Sequence, residues 1–267
     1  MLQHVYERVC MARYVTSTIV ATDDERVYET ARKFGARVRM TRSDHPSGTD
    51  RVAEVASAED AAVVVNIQGD EPLIDPEAID AAILPLAHDP EILMGTLKKR
   101  IEDPREITEP NVVKVVTDRT GDAIYFSRCP IPFSGSGSPV RPDKPGGLPC
   151  YKHVGLYVYR RDFLLAYPSL PVGPLERAER LEQLRALENG YKIRVTETEY
   201  ESLGVDTPED LRRVSQLIET TMHGVRQYGQ VHLCDGRCGL FAGEGDRRRF
   251  DRVPSGEPWV ESHVPEV

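Results

Sequence analysis

Strand-like and helix-like segments alternate through the first part of this chain, and that alternation limits the fold more than any single motif. Val5 to Ala12 reads as an opening helix. Ser17-Thr-Ile-Val-Ala21 is a short β-branched run ending at Thr22-Asp-Asp24, a helix-capping sequence. Glu25 to Phe34 then reads as a helix stopped by Gly35, and Ala36 to Met40 as a second strand. Ser47-Gly-Thr-Asp50 caps a helix running to Ala58. Ala62-Val-Val-Val-Asn-Ile67 is a nearly unbroken apolar run, as expected of a strand buried on both faces. Pro76 opens a further helix to about Leu86, at a first-turn position where its missing N–H costs little. The class this predicts is α/β, with a mainly parallel sheet covered by helices.

The middle of the chain changes character. Leu93–Lys98, Asn111–Thr117 and Ala123–Ser127 read as strands with few helices between them. Arg128 to Pro149 holds six prolines and four glycines, a loop composition. Tyr151–Tyr159 reads as a strand, Leu175–Glu188 as a helix ended by Asn189-Gly190, Lys192–Thr196 as a strand, and Pro208–Thr221 as the last helix. Residues 222–267 carry 7 of the 20 glycines, mixed charges and no periodicity, so they read as a poorly ordered tail behind a single domain over 1–221.

Composition removes several function classes. The net charge of −9 disfavours nucleic-acid binding, which needs basic surface. No apolar run approaches the ~20 residues that span a bilayer, and MLQHVYERVC does not read as a signal peptide, so the expected location is cytoplasmic. Five irregularly spaced cysteines argue against a disulfide framework, and Cys234-Asp-Gly-Arg-Cys238 lacks the second pair a zinc site needs.

Four segments carry chemistry. The apolar run at 63–67 delivers Gln68, Gly69, Asp70 and Glu71 to the carboxyl end of its strand, the edge where open α/β sheets bind ligands. Asp70 offers hard oxygens of the kind Mg²⁺ takes together with phosphates, and also suits a plain helix cap. Gly204-Val-Asp-Thr-Pro-Glu-Asp210 places a second carboxylate, Asp206, before a proline-initiated helix. Ser47, Gly48 and Thr49 present backbone N–H groups at a helix N-terminus, which suits an anion, with Arg51 in the first turn to supplement them; a capping box explains the same residues. Alternation along Tyr151–Tyr157 puts His153, Gly155 and Tyr157 on one strand face. In the charge-rich stretch Pro174–Arg185, Glu176–Arg180 and Glu182–Arg185 have the spacing of helical ion pairs.

Taken in order, these segments resemble the 3-deoxy-manno-octulosonate (Kdo) cytidylyltransferases, the CMP-Kdo synthetases. The matching stretches run from His4-Val-Tyr-Glu-Arg8 through Met40-Thr-Arg-Ser-Asp-His-Pro-Ser-Gly-Thr-Asp-Arg51, Asn66-Ile-Gln-Gly-Asp-Glu-Pro72, Pro110-Asn-Val-Val-Lys-Val-Val116, Tyr125-Phe-Ser-Arg128, Lys152-His-Val-Gly-Leu-Tyr157 and Leu181-Glu-Gln-Leu-Arg185 to Gly204-Val-Asp-Thr-Pro-Glu-Asp210. The resemblance implies a Rossmann-like nucleotidyltransferase sheet with a smaller mixed lobe, over about residues 90–160, through which members pair as homodimers. It implies transfer of CMP from CTP to Kdo with Mg²⁺, in lipopolysaccharide biosynthesis. It puts metal ligands at Asp70 and Asp206, nucleotide contacts at Ser47, Gly48, Arg51 and Gln68, and acid-sugar contacts at Arg128, His153, Tyr157, Glu182 and Gln183.

Members of that family also begin with a hydrophobic strand and a Pro-Ala-Arg-x-x-Ser-x-Arg-Leu-Pro-Gly-Lys loop that wraps the triphosphate, and this sequence contains no such segment. The expectation is an N-terminally truncated member with a sheet one strand short and little turnover as written. Two competing readings are an enzyme like the CMP-sialic acid synthetases and an inactive remnant that only dimerises or binds sugar.

Overall fold

The computed structural model describes residues 1–133 and 149–227, with side chains to residue 220. Residues 1–221 form one compact unit, and the expected tail beyond it lies almost wholly outside the described residues.

The α/β character is as the sequence predicts. Helix α1 (Leu2–Cys10) leads into β1 (Ile19–Thr22), α2 (Glu25–Lys33), β2 (Arg37–Met40), α3 (Gly48–Ser57), β3 (Val63–Asn66) and α4 (Pro76–His88). Two of the caps are the expected ones, and Asp75 is a third. Asp24 accepts from the backbone of Arg26 and Val27, Ser47 from Asp50, and Asp75 from Glu77. Each satisfies orphan N–H groups of a first turn. Gly35 takes a positive φ of 81° where α2 stops, a conformation that costs glycine little.

The sheet itself is mixed rather than mainly parallel. β1 and β2 form their own two-stranded parallel sheet. The larger sheet holds β3, β4 (Met94–Arg100), β5 (Lys114–Thr117), β6 (Ala123–Ser127), β7 (Tyr151–Arg160) and β8 (Arg194–Glu197), with only β4 and β8 parallel. β7 runs antiparallel to β3, β4 and β5. Its ten residues serve two partners on one edge, β5 at Tyr151–Lys152 and β3 at Tyr157–Arg160. The cause is connectivity. Only a short turn, with no helical crossover, separates β5 from β6, so that pair returns antiparallel. Ala123 N donates to Ile193 O and Val195 N to Gly121 O, both at 2.8 Å, and these bonds join the β6 and β8 ends of the path.

β1 pairs only with β2, and β3 only with β7, so each keeps one edge without a strand partner among the described residues. The valines of β3 are accordingly half-buried, not enclosed on both sides as their apolar run predicts. Helix α3 reaches both pieces. Its Arg51 pairs with Asp23 beyond β1 at 3.1 Å, and its Thr49 Oγ1 lies 3.4 Å from Asn66 Nδ2 at the end of β3.

Two apolar clusters hold the unit together. One gathers Val5 and Val9 of α1 with Ile74, Ile79 and Leu86 around Leu97, Val154, Leu156 and Val158. The other gathers Ala53 and Ala56 of α3 with Met94, Phe126, Tyr159, Phe163, Tyr167 and Leu184. Short helices α5 (Arg105–Thr108) and α6 (Arg161–Ala166), unmarked by sequence periodicity, occupy turns between strands. The chain ends its described part in α9 (Pro208–Gln227).

The helix expected over 175–188 is broken in two. α7 (Pro174–Glu179) stops at Arg180, whose φ of 54° is left-handed, and α8 (Leu184–Glu188) begins after Gln183. The expected side-chain pair Glu176–Arg180 does not form. Glu176 instead takes a bidentate bond from Arg185 across the break, at 2.9 and 2.6 Å, with both side chains nearly buried.

Candidate active site

The first turn of α3 is where the distant segments meet. Ser47 Oγ lies 2.9 Å from Glu182 Oε1, and Glu182 also takes a hydrogen bond from Thr49. Gly48 opens the helix and is exposed. Arg51 points to the strand ends: its guanidinium bonds Thr41 Oγ1 after β2 and pairs with Asp23 after β1. A cation expected to meet an anionic ligand is thus already balanced by a carboxylate here.

The turn after β3 lies beside this helix through the Asn66–Thr49 contact. Gln68 is exposed in that turn, and Asp70 is half-buried. Asp70 O accepts from Val205 N at 3.0 Å, which brings the backbone carrying Asp206 alongside the one carrying Asp70. Asp206 is exposed. Two carboxylates from positions far apart in sequence therefore share one neighbourhood. Their hard oxygens suit Mg²⁺, which takes one or two carboxylates and fills its shell with water and phosphate oxygens. Among the described residues, no group of three or more His, Cys, Asp or Glu gathers as a metal cage.

β7 supplies the next wall. Its register against β4 shifts between Thr96 and Leu97, and Thr96 fills the irregularity. Thr96 Oγ1 lies 2.7 Å from Leu156 O and 2.9 Å from His153 Nε2. With its one proton on Leu156 O, the hydroxyl accepts from Nε2–H, which leaves Nδ1 as the acceptor of the ring. Burial without a carboxylate partner pushes the His153 pKa down to about 3, so the imidazole is neutral. Its ring stacks 5.3 Å from Tyr157 and edge-on to Phe126 at 5.1 Å. The shared face read from alternation survives the shift. Burial also raises the Tyr157 phenol well above its ordinary range, so it is a neutral hydroxyl.

The break between α7 and α8 delivers Glu182 and Gln183. Burial is the leading effect on Glu182 and raises its pKa, against the lowering hydrogen bonds of Ser47 and Thr49. Tyr167 OH holds the backbone there by donating to Glu182 O at 2.7 Å. Gln183 is 3% exposed, and its Nε2 has no hydrogen-bond partner among the described residues. A buried amide donor left open is costly, and in a binding site it is what a ligand oxygen would meet.

Arg128 follows β6 and is anchored by Glu179. Glu179 accepts from Ser127 Oγ at 2.5 Å and from Arg128 N at 2.9 Å. The guanidinium donates through Nε to Glu179 O at 2.9 Å and through Nη1 to Pro110 O at 3.0 Å. These two bonds leave the rest of its donors for another acceptor.

Sequence reasoning missed Thr96, Tyr159 and Glu179. It placed Thr49 and Glu71 near the ligand edge, yet the bonds of Thr49 to Glu182 and to the buried Tyr159, and of Glu71 to Tyr200, depend on tertiary placement. Glu179 sits in the charge run at 174–185, whose spacing fits helical ion pairs.

A cytidylyltransferase family model matches residues 1–193. The 3-deoxy-manno-octulosonate cytidylyltransferase of Solibacter usitatus (strain Ellin6076) is 75% identical over 222 residues, covering 83% of this chain and 85% of that protein. The protein of the same name from Geobacter metallireducens is 60% identical over 217 residues, covering 80% and 85%. Among solved structures, CMP:2-keto-3-deoxy-manno-octonic acid synthetase complexed with CTP superposes with a TM-score of 0.75 at 42% identity, over 82% of this chain and 88% of that one. The 4-diphosphocytidyl-2C-methyl-D-erythritol synthase of Anaerococcus prevotii, at 15% identity and a TM-score of 0.51, is similar in fold alone.

Proposed function

The chain belongs to the cytidylyltransferase family, and from that premise we propose that it transfers CMP from CTP to Kdo, giving CMP-Kdo and pyrophosphate. One observation carries the reading: Ser47 and Thr49 at the α3 N-terminus bond Glu182 in the α7–α8 break, uniting the nucleotide and acid-sugar candidates in one site. The 75% identity to a Kdo cytidylyltransferase supports the acid sugar.

In this reaction the anomeric hydroxyl oxygen of the sugar forms a bond to the α-phosphorus of CTP. The hydroxyl's O–H bond breaks and its proton passes to solvent, the bond from that phosphorus to the bridging oxygen breaks on the opposite side, and pyrophosphate leaves with the electron pair. Such a transfer rests on positioning and on stabilising charge. The protein's groups fit those tasks. His153 Nδ1 and the Glu182 carboxylate would accept from the sugar's hydroxyls, and the Tyr157 hydroxyl would accept from or donate to them. The open Gln183 Nε2 would donate to a sugar oxygen, and the spare N–H groups of Arg128 would take the sugar carboxylate. Ser47, Gly48, Arg51 and Gln68 would meet the nucleotide. Asp70 and Asp206 would hold Mg²⁺, which when bound neutralises triphosphate charge.

Two further parts of the reading are proposals of the same kind. The protein works as a homodimer through the 90–160 region, where Ile124 and Phe133 are 61% and 85% exposed. It serves lipopolysaccharide biosynthesis in the cytoplasm, a compartment that holds nucleoside triphosphates; among the described residues no helix is long and apolar enough to cross a membrane.

The deciding experiment is a calorimetric titration with Kdo and with N-acetylneuraminate. Saturable Kdo binding at least about tenfold tighter, about 1.4 kcal/mol, is expected. Tighter binding of the sialic acid favours the sialic acid reading. Turnover is measured alongside with CTP, Kdo and Mg²⁺: CMP-Kdo formation is expected, and Kdo binding without CMP-Kdo formation supports the sugar-binding remnant.

A further inference from the structure

Glu71 follows Asp70 directly and is 8% exposed, a position where a carboxylate is costly unless its oxygens are hydrogen-bonded. No ion pair engages it among the described residues. Its partners are two hydroxyls from a single distant stretch: Tyr200 OH donates to Glu71 Oε2 at 3.1 Å, and Ser202 bonds the same carboxylate.

That stretch is the irregular crossing from β8 to α9, residues 198–207, and it carries Asp206. Its start is tied to β4 by Thr198 N donating to Lys98 O at 2.9 Å. Tyr200 is 8% exposed and packs in the apolar cluster with Ile74 and Val5. Beyond Ser202, the next tie to the turn after β3 is Val205 N donating to Asp70 O. The crossing has no helix or sheet ladder of its own; Glu201 ties it to β4 and β7 through Lys99 at 2.8 Å and Lys152 at 2.5 Å, and the bonds of Tyr200, Ser202 and Val205 tie it to the turn after β3.

We infer that Glu71 is a positioning residue: through Tyr200 and Ser202 it fixes the crossing that carries Asp206 beside the turn that carries Asp70. The inference rests on the reading of Asp70 and Asp206 as the carboxylate pair for a divalent cation. An apolar residue would fill the same volume without holding the crossing, so a role in packing alone gives no reason for an acid at this position.

The test uses the full chain, with Mn²⁺ alone as probe and electron paramagnetic resonance reporting bound metal. Tyr200→Phe and Glu71→Gln are each expected to weaken Mn²⁺ binding by roughly tenfold, the scale on which supporting groups tune metal sites. The double variant is expected to lose no more than the worse single one, because the two side chains act as one link. Circular dichroism and melting identify variants that fold. If Glu71→Gln does not fold, Tyr200→Phe and Ser202→Ala carry the same test. Mn²⁺ binding lost in Asp70→Asn yet unchanged in the folded Tyr200→Phe and Ser202→Ala variants overturns the positioning role and leaves the carboxylate pair standing. Mn²⁺ binding that survives Asp70→Asn, or is absent from the unaltered chain, overturns the pair and the inference with it.

Discussion

Ser47 Oγ and Glu182 Oε1 stand 2.9 Å apart although 135 positions separate them in sequence. The contact joins the cap of α3 to the break between α7 and α8. It brings a helix N-terminus and the Glu182 carboxylate together.

Glu182→Gln keeps the side-chain volume and removes the charge. Kdo affinity is expected to fall at least about tenfold, or about 1.4 kcal/mol, with the melting temperature little changed. Calorimetry beside a thermal melt checks this. An unaltered Kdo affinity would remove Glu182 from the site.

Lys114 is fully buried, and its Nζ donates to Glu109 O at 2.9 Å and to Val112 O and Arg128 O at 2.6 Å. One ammonium thus satisfies three carbonyls around the β5–β6 hairpin. Lys114→Met removes this donor from Val112 O and Arg128 O and leaves Glu109 O with Val112 N alone, so the chain is expected to lose on the order of 3 kcal/mol of stability in urea unfolding. A loss under about 0.5 kcal/mol would show that those carbonyls find other partners.

Arg180 holds a left-handed φ of 54° and is exposed. Glycine adopts that conformation without the Cβ penalty, so Arg180→Gly is expected to stabilise by up to about 1 kcal/mol. Arg180→Val is expected to destabilise, since a β-branched residue resists it. Melting curves of the two variants should bracket the unaltered chain, and the reverse order would mean that the break is held by other contacts.

His153 is neutral in the folded chain, with its pKa pushed by burial from 6.5 to about 3. The unfolded chain binds a proton in that window and the folded chain does not. The stability contributed by the neutral ring is therefore full above about pH 6.5 and is lost progressively as pH falls toward 3. Burial raises the pKa values of Glu71 and Glu182, which bias the pH dependence the opposite way. Comparison with His153→Gln isolates the imidazole: the stability gap between the two chains should shrink from about pH 7.5 to about pH 5. A gap that stays constant across that range would sink the assignment.

Much of the fold was legible before any coordinates. Asp24 and Ser47 cap the helices the sequence assigned to them, because capping is a local contest between one side chain and the next few backbone N–H groups. Strand direction was less legible. β3 looked like a parallel strand buried on both faces, yet it lies antiparallel to β7 with one edge unpaired. Apolar content reports burial tendency and carries no information about which neighbour a strand meets.

The candidate site divides along the same line. His153 and Tyr157 could be placed together from alternation alone, because a strand repeats every second residue. The charge run at 174–185 could not be resolved, since its spacing fits an unbroken helix with its own ion pairs. The Arg185–Glu176 bond and the left-handed Arg180 break it instead, and Gln183 enters the interior with an unpartnered amide.

Sequence alone determined most of the longer helices and strands, the caps at Asp24 and Ser47, and the family whose motifs recur in order. Those are short-range properties, carried by caps, periodicity and residue type. Only the tertiary structure decided that Asp70 lies against Val205, that Ser47 reaches Glu182, and that Glu71 is held by Tyr200. Each of those contacts spans more than a hundred residues, and its geometry is set by how the whole core packs, which no local pattern encodes.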